Sequence, residues 1–250
     1  MSAHLPRFAI DRPAAVGDVV TLTGDEARHA RVRRVAVGEA VALFDEAGHS
    51  CVAEVTGVTR DGVAVRVTAV QPANAGESPL ALTLAIGLLK ADKLDWVIEK
   101  ATELGVARVQ PFTSAHTLAQ PSASRQARWQ QIARSAAKQS GRSIVPAVAP
   151  PCNFTDVLTA AATRLLLAEH GETVPLAAAA VRTSVKSHVD APPRTPLVLI
   201  VGAEGGFAAA ELDTARAAGV HLITLGPRIL RAETAAVAAV ALCQSRWGDL

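Results

Sequence analysis

Two glycine-rich stretches near the carboxyl end carry the residue types that could hold a small molecule. Gly202-Ala203-Glu204-Gly205-Gly206 follows the apolar run Leu197 to Val201, and Gly226 to Glu233 (GPRILRAE) follows His221 to Leu225. Each run reads as a buried strand with a helical pattern beyond its loop, so both loops leave the carboxyl ends of strands, where open α/β sheets place ligands. The first loop has neither the G-x-G-x-x-G spacing of a dinucleotide site nor the G-K-[ST] ending of a phosphate loop. Its glycines let backbone approach a ligand closely, while the Glu204 carboxylate would repel phosphate. A cationic or polar cofactor suits it better. Thr234 can cap the helix after the second loop. That helix, TAAVAAVALCQ, is apolar nearly all round, which calls for packing on more than one side and suggests a subunit interface.

The elements that must position these loops follow from periodicity. Past residue 80, LALTLAIGLL reads as a buried strand and KLDWVIEKATELG as a helix with Leu94, Val97, Ile98, Ala101 and Leu104 on one face, Asp92 as its cap and Gly105 at its end. VARVQPF returns as a strand. A second helix spans Ser122 to Gly141 with Trp129, Ile132, Ala133 and Ala136 inward and Arg125, Arg128, Arg134 and Lys138 outward, before a short strand at Ile144 to Val148. A helix from Phe154, the strand LLLAEH (Leu165 to His170) and a helix over Thr173 to Val185 complete an alternation that predicts a parallel sheet with right-handed crossovers. Trp96 and Trp129 both read as core.

Residues 1 to 71 differ in kind: VVTLTG, EAVALFDEAGHSCVAEVTGV and GVAVRVTAV are strand runs broken by Gly17-Asp18, Gly38-Glu39, Gly48-His49 and Asp61-Gly62, predicting a small β-barrel. Between them, Gly24 to Arg34 reads as a short helix with Asp25 and Glu26 near its positive end. Its arginines, with Arg7, can reach phosphates or form an ordinary solvated face. QPANAGESP has linker composition, giving a barrel over 1–71, a linker over 72–79 and an α/β domain over 80–250.

Composition sets the outer bounds. The net charge of +2 over 250 residues does not by itself mark a nucleic-acid binder. Three scattered cysteines support neither a disulfide framework nor a zinc site, so no metal is expected. MSAHLPRFAI lacks the features of a signal peptide, and the cytoplasm is the expected location, with no membrane partner.

An ordered set of motifs resembles one family, the bacterial 16S rRNA (uracil-N3)-methyltransferases of the SPOUT superfamily. It comprises Pro6-Arg7-Phe8, His29 with Val32 and Arg34, Leu43-Phe44-Asp45, KLDWVIEKATELGV from Lys93, Gln139 to Arg142 with Val145-Pro146, VGAEGGF, LGPRILRAETA and Arg246 to Asp249. The resemblance implies an α/β fold: a trefoil-knotted SPOUT domain with a parallel sheet, preceded by a PUA-like or OB-like barrel for RNA binding. It also implies S-adenosylmethionine bent among three loops, a homodimer through the knot helices, and uridine 1498 of 16S rRNA, in the small subunit or its late assembly intermediate, as target. The implied cofactor loops are the end of LLLAEH (Leu167), the first glycine loop (Gly202, Glu204, Gly205, Gly206) and the second (Leu225, Gly226, Pro227, Ile229, Leu230). Implied RNA contacts are Arg7, Arg31, Arg34 and Arg142. His170 would border the cofactor loop. The chain departs from the pattern at Ala203 (usually proline), Ala208 (serine), Lys138 (glutamate), Arg33 (leucine) and Ala232 (threonine).

For that reaction the N3 proton of uracil must leave as the methyl arrives. Arg231 is assigned to stabilise negative charge on the uracil oxygens, and Glu233 or Glu204 to accept or orient the proton. An ion pair between Arg231 and Glu233 that merely braces the loop is the structural alternative. Rival functions are a 2′-O-ribose methyltransferase of the same superfamily acting on tRNA or rRNA, and a non-catalytic RNA-binding assembly factor.

Overall fold

The computed structural model describes residues 5–117, 121–169, 172–179 and 196–250. It divides into two compact units, residues 1–77 with 137–145, and residues 78–136 with 146–250.

The first unit is a five-stranded sheet in the order β1-β3-β4-β5-β2, formed by β1 (Arg7–Ala9), β2 (Val19–Leu22), β3 (Ala40–Phe44), β4 (Ser50–Val58) and β5 (Val63–Val70). Only the β1–β3 pairing is parallel. Alternation drives it: Val63, Val65 and Val67 point inward with Val41, Leu43, Ala53 and Val55. Gly17, Gly38 and Gly48, at the expected turns, have positive φ. Helix α1 (Gly24–Val32) buries only Ala27 and Ala30, leaving its arginines outward.

Residues 137–145 pack with this unit, although composition assigned them to the second. The reason is a buried ion pair: Arg142 Nη2 lies 2.7 Å from Glu77 Oε2, the two side chains being 6% and 7% exposed. The other Glu77 oxygen accepts the backbone N–H groups of Ser143 and Ile144, both at 2.9 Å. The expected linker is therefore anchored at its end, since Ser78 is also buried and donates its hydroxyl to Gln244 Oε1 at 2.6 Å in the second unit. Lys138, where the resemblance implied glutamate, holds Glu26 at 2.6 Å.

The second unit is an all-parallel sheet. Its order is β11-β13-β10-β12-β6-β7-β8, built from β6 (Leu82–Gly87), β7 (Arg108–Thr113), β8 (Ala147–Val148), β10 (Thr163–Leu167), β11 (Val174–Pro175), β12 (Leu197–Val201) and β13 (His221–Thr224), with β9 (Cys152–Asn153) also on β7. β12 is buried at every residue and β6 at all but one, as expected for central parallel strands covered on both faces. α2 (Ala91–Glu103) and α6 (Ala232–Trp247) pack together, with α6 on β12 and β6. On Val198, Ile200 and Leu166 sit α4 (Phe154–Val157) and α5 (Ala209–Ala217). α3 (Ala123–Ser140) buries Trp129, Ala133, Ala136 and Ala137.

Several local expectations are corrected. The range 173–179 holds β11 and a 3-10 turn at Leu176–Ala178 rather than a helix, because its residues pair with β13. The rest of that range, within 180–195, and His170 lie outside the described residues. Neither Asp92 nor Thr234 is a cap: α2 and α6 begin after Lys90 and Arg231, without a side-chain cap bond. Trp96 is 42% exposed. α6 buries one face, Ala236, Ala239, Val240, Cys243 and Gln244, and leaves Leu242 49% exposed.

Candidate active site

Strand order assembles the site. β13, β10 and β12 are neighbours and parallel, so their carboxyl ends share one edge of the sheet and the loops after Leu167, Val201 and Thr224 face one another. Among these loops lies a cavity of about 650 Å³. Its wall includes Leu167 from the first loop, Gly202, Glu204, Gly205 and Gly206 from the second, and Leu225, Gly226, Pro227, Ile229 and Leu230 from the third. Arg231 lines it as well. Every residue the resemblance assigned to the cofactor thus meets around one space, although they come from segments up to 63 positions apart.

Close packing shapes the Gly202–Gly206 loop. Phe207 turns beneath it and stacks on Phe112, with ring centroids 6.2 Å apart and planes 11° from parallel, and meets Phe154 at 5.2 Å. A side chain at Gly202 would meet the Phe207 ring at 3.1 Å, and Gly206 has φ +64°, a conformation that favours glycine. Gly206 N–H closes the turn on the Ala203 carbonyl at 2.9 Å. Ala208 cannot cap α5 as serine would. Instead the Glu211 carboxylate accepts Ala208 N–H at 2.9 Å and Ala115 N–H at 2.8 Å.

Charges on the wall are mixed: Glu169 and Glu204 against Lys93, Arg228 and Arg231. Burial alone would raise the Glu204 pKa, but backbone N–H groups of Glu204 and Lys90 and the Lys93 ammonium outweigh it, holding the carboxyl below its ordinary value. Glu204 is therefore an anion at neutral pH. Apolar walls, glycine backbone and charges of both signs fit a polar ligand that itself carries both signs, as S-adenosylmethionine does with its sulfonium, ammonium and carboxylate groups.

Sequence reading missed two residues here. Lys93 stands on the wall between two acids, its Nζ 3.4 Å from Glu204 and 3.3 Å from Glu233. Glu233 itself is not part of the wall. It sits behind Lys93, its second oxygen sealed from solvent without a hydrogen-bond partner. Its ion-pair partner is thus Lys93 rather than the Arg231 considered from the sequence. Gly87 ends β6 directly against the loop, where an added Cβ would come within 2.4 Å of Ala203 N. The one signal for either was position, at the end of the first α/β strand and in the helix that follows it.

The four arginines expected to meet RNA, all in the first unit, separate into two kinds. Arg142 is buried against Glu77, and Arg7 places its guanidinium 5.0 Å over the Phe44 ring while donating to the Arg142 carbonyl at 2.9 Å. Arg142 is thus an internal brace rather than an exposed RNA contact, while Arg7 joins the brace and stays partly exposed. Arg31 and Arg34 are exposed, with Arg33 beside them.

Residues 76–244 match the family described as RNA methyltransferase domain, and residues 22–68 the one described as RNA methyltransferase PUA domain. Fold and site thus define an RNA methyltransferase with an amino-terminal PUA unit. The chain is 33% identical to ribosomal RNA small subunit methyltransferase E of Mycobacterium tuberculosis, covering 96% of this chain and 92% of that protein. It is 31% identical to the Bacillus subtilis protein of the same name, over 86% and 85%. A crystal structure of the Neisseria gonorrhoeae ribosomal RNA small subunit methyltransferase E bound to S-adenosyl methionine superposes with a TM-score of 0.87 at 34% identity, covering 99% of this chain and 100% of that one. The chain belongs to the ribosomal RNA small subunit methyltransferase E family.

Proposed function

We propose that the protein transfers the methyl group of S-adenosylmethionine to N3 of one uridine in the 16S rRNA of the small ribosomal subunit. The three-loop cavity carries this reading. It places glycine backbone and Glu204 around a space suited to a cationic cofactor, in a chain whose relative of known structure binds that molecule. The cofactor supplies an electrophilic methyl, and all else is left to the protein.

Leu167, Gly202 to Gly206 and Leu225 to Leu230 would hold the cofactor. The imide N3 of uracil bears a proton at neutral pH and is stacked or paired in RNA, so the base must be extruded, at a cost of a few kcal/mol. Arg231, on the wall at the amino end of α6, stabilises the charge that develops on the uracil oxygens as the proton leaves. Glu204, ionised and facing the cavity, accepts or relays that proton through water. Glu233 acts through Lys93, holding its ammonium between two carboxylates.

Arg31, Arg33 and Arg34 supply phosphate contacts from the first unit. The exposed side of α6 around Leu242 serves as the homodimer interface. The cytoplasm, where the small subunit resides, is the site of action. In Arg231→Ala, calorimetry should find S-adenosylmethionine affinity within about threefold of wild type, while methyl transfer to unmethylated small subunits falls by about a hundredfold or more, the scale of a lost oxyanion donor. Wild-type turnover in that variant defeats the assignment. A wild-type protein that binds cofactor and methylates no uridine N3 defeats the function.

A further inference from the structure

A second cavity, of about 900 Å³, shares Glu204 and Gly205 with the first. Leu88, Leu89 and Trp129 give it an apolar floor, and Lys90 and Arg125 give it positive charge. Resting on the function proposed above, we infer that this cavity receives the acceptor nucleotide of the RNA, its base over the apolar floor and its phosphate on Arg125.

Arg125 carries the argument. Its guanidinium lies 5.7 Å over the Trp129 ring, and Trp129 is itself fixed by donating its indole N–H to Asp95 at 3.0 Å. One turn away, the more exposed Arg128 has a counter-ion, Asp95, at 2.9 Å. The Arg125 guanidinium has no hydrogen-bonded acceptor or ion pair among the described residues, and its Nη2 is sealed from solvent. A half-buried arginine left so costs stability unless a ligand completes it. The other two guanidinium nitrogens are not sealed and can donate to a phosphate, and the apolar floor fits a nucleobase, so both halves of a nucleotide are accounted for.

Adjacency supplies the second argument. Methyl transfer needs acceptor and donor atoms about 3–3.5 Å apart, so the nucleotide must enter a space continuous with the cofactor cavity. Among the described residues, only the Glu204-Gly205 segment is common to both walls. It presents a carboxylate to an acceptor arriving from this side, which is where the N3 proton has to be received. His116 packs against the same segment, within 2.9 Å of where a Gly205 Cβ would stand, and so sets the mouth between the two spaces.

The test compares full-length Arg125→Ala, Arg125→Lys and Arg128→Ala, using unmethylated small subunits as substrate. For Arg125→Ala, KM for the RNA should rise about tenfold or more, the size of one charge-assisted hydrogen bond, with S-adenosylmethionine affinity by calorimetry unchanged. Arg125→Lys should recover part of the loss, keeping the charge without the fork. Arg128→Ala should stay within twofold of wild type. Should Arg125→Ala fail to fold, Ala115→Trp fills the cavity from an exposed rim position and should raise the same KM. An RNA KM within twofold of wild type in the folded variants overturns the inference. So does a tenfold loss of cofactor affinity with the RNA KM unmoved, which would make this space part of the cofactor site. A wild-type protein without methyl transfer refutes the function itself, a separate outcome.

Discussion

Replacing Gly87 by alanine tests whether the cofactor loop is held in place by the strand beside it. The new Cβ would stand 2.4 Å from Ala203 N, 3.0 Å from Gly202 C and 3.1 Å from Ala203 Cα, all backbone atoms. Ordinary contact begins at 3.4 Å, so something must retreat by about 1 Å. β6 cannot, because Gly87 is in register with Phe112 and the next residue, Leu88, donates its N–H to the Phe112 carbonyl at 3.0 Å. The Gly202-Ala203 backbone must move, and it forms the cavity wall. Overpacking of this kind costs about 1–3 kcal/mol, a fall in melting temperature of roughly 2–12 °C for a chain of this size. A 1 Å misplacement near the reacting atoms costs about a hundredfold in rate. Calorimetry should show S-adenosylmethionine binding weakened at least tenfold, with methyl transfer down by about that hundredfold. Gly62→Ala is the control, since its Cβ would strike the Leu22 carbonyl at 2.8 Å in the first unit, destabilising that unit without touching cofactor affinity. Wild-type cofactor affinity in Gly87→Ala refutes the reasoning.

Three further outcomes are expected. Arg142→Ala should destabilise the first unit by about 3–5 kcal/mol in urea titration, because it strands the buried Glu77 carboxylate; a loss below about 1 kcal/mol would show that the pair is not structural. Arg31→Ala with Arg34→Ala should flatten the slope of log affinity for rRNA against log salt by roughly 1.4–1.8, at about 0.7–0.9 per phosphate contact, and an unchanged slope removes them from the interface. Burial first, then the positive charge of Lys138, lowers the His29 pKa below its ordinary 6.5, so the folded state favours the neutral ring. The stability this gives is whole above about pH 6.5 and is lost as pH falls through the folded value. His29→Gln should therefore melt with a flatter pH dependence than wild type between pH 7.5 and 5, and parallel curves would contradict the assignment.

Much of the chain was legible from its sequence because the signals are local. Alternation at Val63, Val65 and Val67 and turn glycines with positive φ built the first sheet, and continuous apolar runs at 82–87 and 197–201 became its companion's central strands. The two glycine loops announced a ligand site, since a strand end followed by small residues is a property of a few adjacent positions. What no local pattern holds is which strands lie side by side. The order β13-β10-β12-β6 brings Leu167, Gly202, Leu225 and Gly87 to one edge, and only then does Gly87 matter to a loop more than a hundred residues later. Charge is subject to the same limit: Arg31 and Arg142 are identical letters, yet one stays in water and the other is buried against Glu77. Composition placed the arginines, Glu233 and Lys93 in the chain. The tertiary structure decided which of them face solvent, which face the cavity and which face one another, because burial and ion pairing depend on neighbours distant in sequence.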